Sequence, residues 1–105
     1  MRVLVTRAAD DAGATAERLR ALGHTPVLAP LGSVRTLPAA WPDPLPDALA
    51  ATSAHAFPGL MPLPAEAGQI PSFAVGDRTA AAAREAGFAT VETGQGDGGT
   101  LAALM

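Results

Sequence analysis

The sequence predicts an α/β fold assembled from parallel βαβ units, and three stretches carry the prediction. Arg2–Thr6 (RVLVT) is a compact β-rich run, followed by a helix-periodic segment, a glycine and a second β-rich run, Pro26–Ala29 (PVLA). Pro71–Phe88 (PSFAVGDRTAAAAREAGF) contains strand, glycine turn and helix in one piece. Ala89–Thr93 (ATVET), a glycine-rich turn and TLAALM then supply strand, loop and helix once more. Strand, helix and strand with short joins imply parallel pairing and a right-handed crossover.

In chain order, Asp10 or Asp11 is expected to cap a helix reaching Leu22. Ala12, Ala16, Leu19 and Leu22 would form its apolar face, and Gly23 its stop. After Pro30, Leu31–Leu37 (LGSVRTL) reads as a third extended piece. Pro38, Pro42, Pro44 and Pro46 then exclude a helix interior or a central strand, leaving a loop or an inter-domain crossing in which Trp41 docks on the neighbouring domain. Asp47–Ala51 (DALAA) has poor β propensity, and propensity alone favours helix; its place ahead of Thr52-Ser53 argues for a buried strand. Pro58-Gly59 breaks the helix that should follow, so Met61–Gln69 reads as loop or frayed helical remnant.

Within Pro71–Phe88, Pro71 opens the strand, where a missing N–H does least harm, and Gly76 permits the turn. Asp77 is the expected cap of the next helix and Gly87 its end. Gly94–Gly99 (GQGDGG) reads as a flexible loop, with Thr100 capping the last helix. The chain stops at Met105, early in that amphipathic helix, which gives the expectation of a fragment.

Composition narrows the function classes. A chain of 105 residues makes one small ordinary domain, and alanine inflates its 49% hydrophobic content, so the core should be thin. A net charge of −3 argues against nonspecific nucleic-acid binding, which needs a basic face. All seven basic residues are Arg, which excludes Schiff-base lysines and a phosphate-loop lysine. With no Cys there is no disulfide, thiolate nucleophile or thiolate metal site, and two histidines make a histidine-rich metal cage improbable. No apolar run spans a bilayer and no signal-peptide pattern precedes the first strand, so the expectation is a soluble, cytoplasmic protein without membrane contact.

The chemistry on offer is anion binding. A helix start at a strand end presents unpaired N–H groups and the positive end of the helix dipole. Thr52-Ser53 and the Gly76, Asp77, Thr79 turn are two such places, and parallel strands would set them side by side on the edge where open α/β sheets bind ligands. Helix capping alone explains most hydroxyls at such positions. Arg7, just after the first strand, either clamps a carboxylate or is a solvated arginine. Gly94, Gly96 and Gly99 match a dinucleotide glycine pattern, but the acidic residue about 20 positions on is missing, which favours a plain loop. Asp10-Asp11 has no lysine partner and is rejected as a phosphoacceptor pair; His55 is read as structural or solvated.

Five segments in order resemble the N-terminal part of uroporphyrinogen-III synthases: VLVTR (Val3–Arg7), ALGHTPVLAPL (Ala21–Leu31), DALAATSAHAF (Asp47–Phe57), FAVGDRTAAAAREAGF (Phe73–Phe88) and GDGGTLAAL (Gly96–Leu104). The resemblance implies two α/β domains joined by a two-stranded linker, the first domain built from both ends of the chain. Residues 1–30 would then be part of the first domain, 31–46 a linker strand with its proline-rich crossing, and 47–105 part of the second, the whole being truncated. It further implies a hydro-lyase, without metal or organic cofactor, that closes linear hydroxymethylbilane into the type III macrocycle with inversion of ring D and loss of water. Thr52 and Ser53 match the family's threonine-serine at the cleft, and Thr79 its threonine after the valine-glycine turn. Gly76 and the Gly96-Asp97 loop would approach the ligand through backbone, and Arg7 matches a first-domain arginine.

Two departures accompany the resemblance. The chain contains no Tyr, although the family has one implicated in dehydration, and it lacks the family's later threonine-serine segment. The expectation is therefore that the full-length protein is a monomer, whereas this chain is inactive alone and self-associates through exposed edges. Two rival readings are a non-catalytic α/β module for a small anion or nucleotide, and a degenerate paralogue kept for interaction.

Overall fold

The computed structural model describes residues Met1–Met105, which fall into two units, Met1–Arg35 and Thr36–Met105. Each holds its own parallel sheet, of two and three strands. This is the α/β organisation that the short-joined strand and helix signals require.

In the first unit, β1 (Arg2–Val5) runs parallel to β2 (Thr25–Leu28), with α1 (Ala9–Ala21) as the crossover. Val5, Ala12 and Ala16 form its buried apolar centre. The N-cap of α1 is Ala8, with no side-chain bond, whereas the sequence suggested Asp10 or Asp11 as the cap. Both acids sit inside the first turn, where a negative charge still complements the helix dipole. The apolar face is also narrower than expected. Leu22 lies roughly 80° around the helix from Ala12 at 3.6 residues per turn, and it is 74% exposed.

Pro26 is accommodated because of the direction its nitrogen faces. Thr25 N–H donates to the Met1 carbonyl (2.8 Å) and Ala29 N–H to that of Val5 (2.8 Å), so alternate residues of β2 turn their N–H groups toward β1. Pro26 falls between them, with its nitrogen turned away from the ladder.

In the second unit the strand order is β3 (Leu49–Ala51), β4 (Ser72–Val75), β5 (Val91–Gly94), all parallel. The register places Leu49, Ser72 and Val91 in one row and Ala51, Ala74 and Thr93 in another. A short Leu-Ala-Ala strand survives despite weak propensity because it has a ladder partner in β4 and packs into the core. Two 3₁₀ turns, Ala54–Ala56 and Pro58–Leu60, replace the helix that Pro58 interrupts, and a third covers Ala67–Gln69. The Gly59 position approaches other backbone closely: a Cβ there would lie 2.5 Å from the Leu37 carbonyl oxygen.

Residues 29–48 contain no helix or strand, so the extended piece expected at Leu31–Leu37 forms no strand, although Leu31 N–H donates to the Thr6 carbonyl just past β1 (3.2 Å). Trp41 packs within the second unit, its ring 6.5 Å from that of Phe88 and its Nε1–H donating to the Leu60 carbonyl (2.9 Å). Phe57 meets Phe88 edge-on at 5.9 Å, and these rings join Ala51 and Ala83 in the core. The Ser72 hydroxyl is fully buried with no partner, an arrangement that costs about 1–3 kcal/mol.

The two helices of this unit lie on opposite faces of the sheet. Ala83 of α2 (Asp77–Ala86) packs with Ala51, whose row includes Thr93. Leu101 of α3 (Gly98–Leu104) packs instead against Gly94, one residue on and therefore on the other face. A Cβ at Gly94 would lie 3.2 Å from Leu101 Cδ1 and 3.3 Å from its Cα, so only hydrogen fits well there.

Helices α1 and α2 stop in the same way. Gly23 N–H donates to Arg20 and His24 N–H to Leu19 (both 2.9 Å); Gly87 donates to Arg84 (3.1 Å) and Phe88 to Ala83 (3.2 Å). These paired bonds satisfy the last carbonyls of each helix, and they deliver Phe88 directly into the core.

Candidate functional site

Three parallel strands end side by side at one edge of the second sheet, and each opens into a tight turn. After β3, Thr52 and Ser53 are exposed, and Ser53 Oγ accepts from the His55 N–H at 3.2 Å. The hydroxyl therefore caps the 3₁₀ turn and keeps its other hydrogen-bonding capacity for a ligand.

After β4, Gly76 occupies the N-cap of α2 with φ 80° and ψ 159°. The expected cap, Asp77, is the first helical residue, and its carboxylate accepts a long bond from Gln95 Nε2 (3.5 Å) instead. The chain reverses in a conformation only glycine holds easily, so no side chain can serve at the N-cap itself. Thr79 lies in the first turn of α2 but on its buried side, only 6% exposed, beside Ala80 and Ala83.

After β5, the segment that reads as a flexible loop is mostly committed to structure. Gly94 closes the strand, Gly96 has φ 106°, and Gly98 begins α3. Asp97, not Thr100, is the N-cap: its carboxylate accepts the Thr100 N–H (2.9 Å) and the Thr100 hydroxyl (3.1 Å). The sequence contained the clue, since an acid followed three residues later by Thr is as good a capping pattern as Thr alone. Gln95, which links this turn to Asp77, carries no signal in the sequence.

Those bonds hold the Asp97 carboxyl below its ordinary value, first through the Thr100 N–H, next through the Thr100 hydroxyl and, to a smaller extent, the Gly99 N–H; slight desolvation opposes them. A depressed folded-state pKa stabilises above the unfolded value and stops doing so as pH falls through the folded one. The cap of α3 should thus be intact at neutral pH and lost in acid, below the ordinary value of 3.8. Amide-proton exchange at Thr100 followed from pH 6 to 2 should accelerate on this account beyond the intrinsic pH trend. In Asp97→Asn, whose amide oxygen caps without titrating, that extra acid step should vanish.

Arg7 lies in the first unit, exposed, with Nη1 donating to Thr15 Oγ1 at 2.8 Å. Thr15 also donates to the Asp11 carbonyl at 3.4 Å, so the guanidinium is held against α1. The structure thus brings together Thr52, Ser53, Gly76, Gly96 and Asp97 at the strand ends, with Thr79 beneath them. Arg7 is placed within its own unit. No group of three or more His, Cys, Asp or Glu is positioned to hold a metal ion, and no helix is long and apolar enough to cross a membrane.

Parallel strands whose C-terminal ends open into hydroxyl-bearing and glycine turns define an open α/β protein, a class in which ligands bind outside the strand ends. A comparison with known families makes this specific. The chain belongs to the uroporphyrinogen-III synthase family, the family model described as uroporphyrinogen-III synthase HemD matching residues 13–105. The match begins inside α1, so VLVTR and Arg7 lie before it. Membership associates the chain with porphyrin biosynthesis and, through the family, with a tetrapyrrole substrate. No curated protein matches the sequence.

Proposed function

We propose that this chain supplies one carboxylate-gripping wall of a uroporphyrinogen-III synthase, a hydro-lyase that closes hydroxymethylbilane with inversion of ring D and loss of water. The observation that carries the reading is the alignment of β3, β4 and β5, which sets Thr52, Ser53 and the start of α2 along one edge. Each pyrrole of the linear substrate bears an acetate and a propionate, so the task is to hold many carboxylates. Hydroxyl donors and first-turn N–H groups suit it, even in a chain of net charge −3, because the local field governs binding. Holding the two chain ends close is then a large part of the catalysis.

In this reading Thr52 and Ser53 donate to substrate carboxylates, and Gly76 and Gly96 allow close backbone approach. Asp97 acts through backbone, because its carboxylate is taken by the α3 cap. Thr79, being buried, supports the first turn of α2 more than it reaches outward. Arg7 is held by Thr15 within the first unit. The chain contains no Tyr, the residue type the family resemblance associates with dehydration, so we assign it substrate holding and no dehydration step by itself.

Titration of the chain with uroporphyrinogen III, under reducing conditions, tests the site. The Thr52→Val, Ser53→Ala double variant should bind at least about tenfold more weakly, since each hydrogen bond to a charged group contributes about 1.5–3 kcal/mol. Equal affinity would refute the assignment. In a hydroxymethylbilane closure assay the chain alone should leave the spontaneous type I product dominant; abundant type III product would overturn the substrate-holding role. Binding of inorganic phosphate with no response to the tetrapyrrole would favour the anion-module reading.

A further inference from the structure

Away from the strand-end site, the second unit carries an open hollow of about 410 Å³ lined by Trp41, Pro42, Asp43, Leu45, Pro64 and Glu66, among others. It lies toward the opposite end of the sheet. Glu66 leads into the 3₁₀ turn before β4, and the Trp41 ring rests on Phe88, just ahead of β5. The indole is fixed at both ends, by its bond to the Leu60 carbonyl and by its contact with Phe88. Its one donor is thus already used, and what remains for a ligand is the half-buried ring surface. Asp43 and Glu66 are both exposed, and neither takes part in an ion pair or side-chain hydrogen bond.

We propose that this hollow is a docking site for an arginine side chain of a protein partner. An indole face attracts a cation through its quadrupole, and guanidinium, planar and weakly hydrated, stacks on it better than ammonium does. Two unpaired carboxylates on the rim supply the complementary charge and accept from the guanidinium fork. Leu45 and the prolines offer an apolar lining for the methylene stem, which long cationic side chains bury readily. The hollow's acidic rim is unsuited to a polycarboxylate, so it is a different site from the strand ends and does not rest on the function assigned to them.

Trp41 is the only tryptophan in the chain, so its fluorescence reports on this hollow directly. The probes are blocked Gly-Arg-Gly, its lysine and citrulline counterparts, and N-acetylarginine amide, titrated into the 105-residue chain. The arginine tripeptide should shift Trp41 emission saturably, with affinity falling as salt rises. Citrulline, the neutral isostere, and lysine should each bind at least about tenfold more weakly, on the scale of losing a charge-assisted fork or a stacked cation. Asp43→Asn with Glu66→Gln, both at exposed positions, should weaken the arginine tripeptide by about tenfold or more while leaving the folded signal intact. An unsaturable response, equal binding of citrulline or lysine, or unchanged affinity in the double variant would overturn the site. N-acetylarginine amide carries the same side chain and should bind within a few-fold of the tripeptide; its failure to bind would overturn recognition through the side chain.

Discussion

Replacing Phe88 with alanine should destabilise the Thr36–Met105 unit by about 3–5 kcal/mol, the range for deleting a buried aromatic side chain. Phe88 is 2% exposed and touches both other large rings of the core, Phe57 edge-on and Trp41 at a tilt. Much of the remaining core is alanine, which has little side chain to move into the space. A small domain holds only about 5–15 kcal/mol in total, so the variant should be largely unfolded or nearly so. Urea unfolding followed by Trp41 emission measures this, because the indole sits on the deleted ring. Phe88→Leu keeps most of the apolar volume and should lose less than half as much. A midpoint for Phe88→Ala within error of the parent would show that the aromatic cluster does not hold the unit together.

Gly76→Ala should cost about 1–3 kcal/mol, the penalty for a side chain held in this sparsely populated backbone region, and should weaken tetrapyrrole binding as well. A Cβ at this position meets no atom within 4 Å, so the effect is conformational and not steric. Asn, which tolerates the left-handed helical region, should give no rescue, because ψ of 159° lies far from that region. A D-alanine introduced by chemical synthesis should cost less than L-alanine, since the mirror image of these angles lies within about 20° of the extended region open to an L residue. Gly94→Ala tests the opposite cause: its Cβ would press on Leu101, so shortening that residue with Leu101→Ala should relieve part of the damage. Failure of D-alanine to outperform L-alanine at position 76 would exclude the backbone explanation.

The elements that were legible in the sequence are those whose signals are local and mutually consistent. Val3, Leu4 and Val5 in β1, and Phe73 with Val75 in β4, combine β propensity with a clear following turn. The helix stops at Gly23 and Gly87 were legible because a left-handed residue at a helix end strongly favours glycine. β3 was legible only from its place in the chain: Leu-Ala-Ala says little until β4 lies beside it.

The helix starts are less legible, and for one reason. Asp10, Asp77 and Thr100 are all acceptable caps, but which residue takes the cap depends on where the backbone turns. At α2 that is Gly76, and at α3 it is Asp97. The same dependence on backbone path governs the site. Thr52 and Ser53 stand exposed at a strand end as their place in the sequence suggests, whereas Thr79 shares the sheet-facing side of α2 with Ala83, four residues on. That pairing was available from helical periodicity. The acidic hollow around Trp41 joins positions 41–45 to 64–66, and no local pattern connects them.

The placement of α2 and α3 on opposite faces fixes the direction in which the sheet is wound. Parallel crossovers are right-handed, so the face on which a helix lies determines which way the chain steps across the strands. With the 54–60 turns and α2 on one face, the chain steps from β3 to β4 to β5. α3, on the other face, covers the side of β5 that α2 leaves open. β3 and β5 are thus the two edges of this sheet, so of the three strand ends the one bearing Thr52 and Ser53 lies at one edge and the Gly94–Asp97 turn at the other.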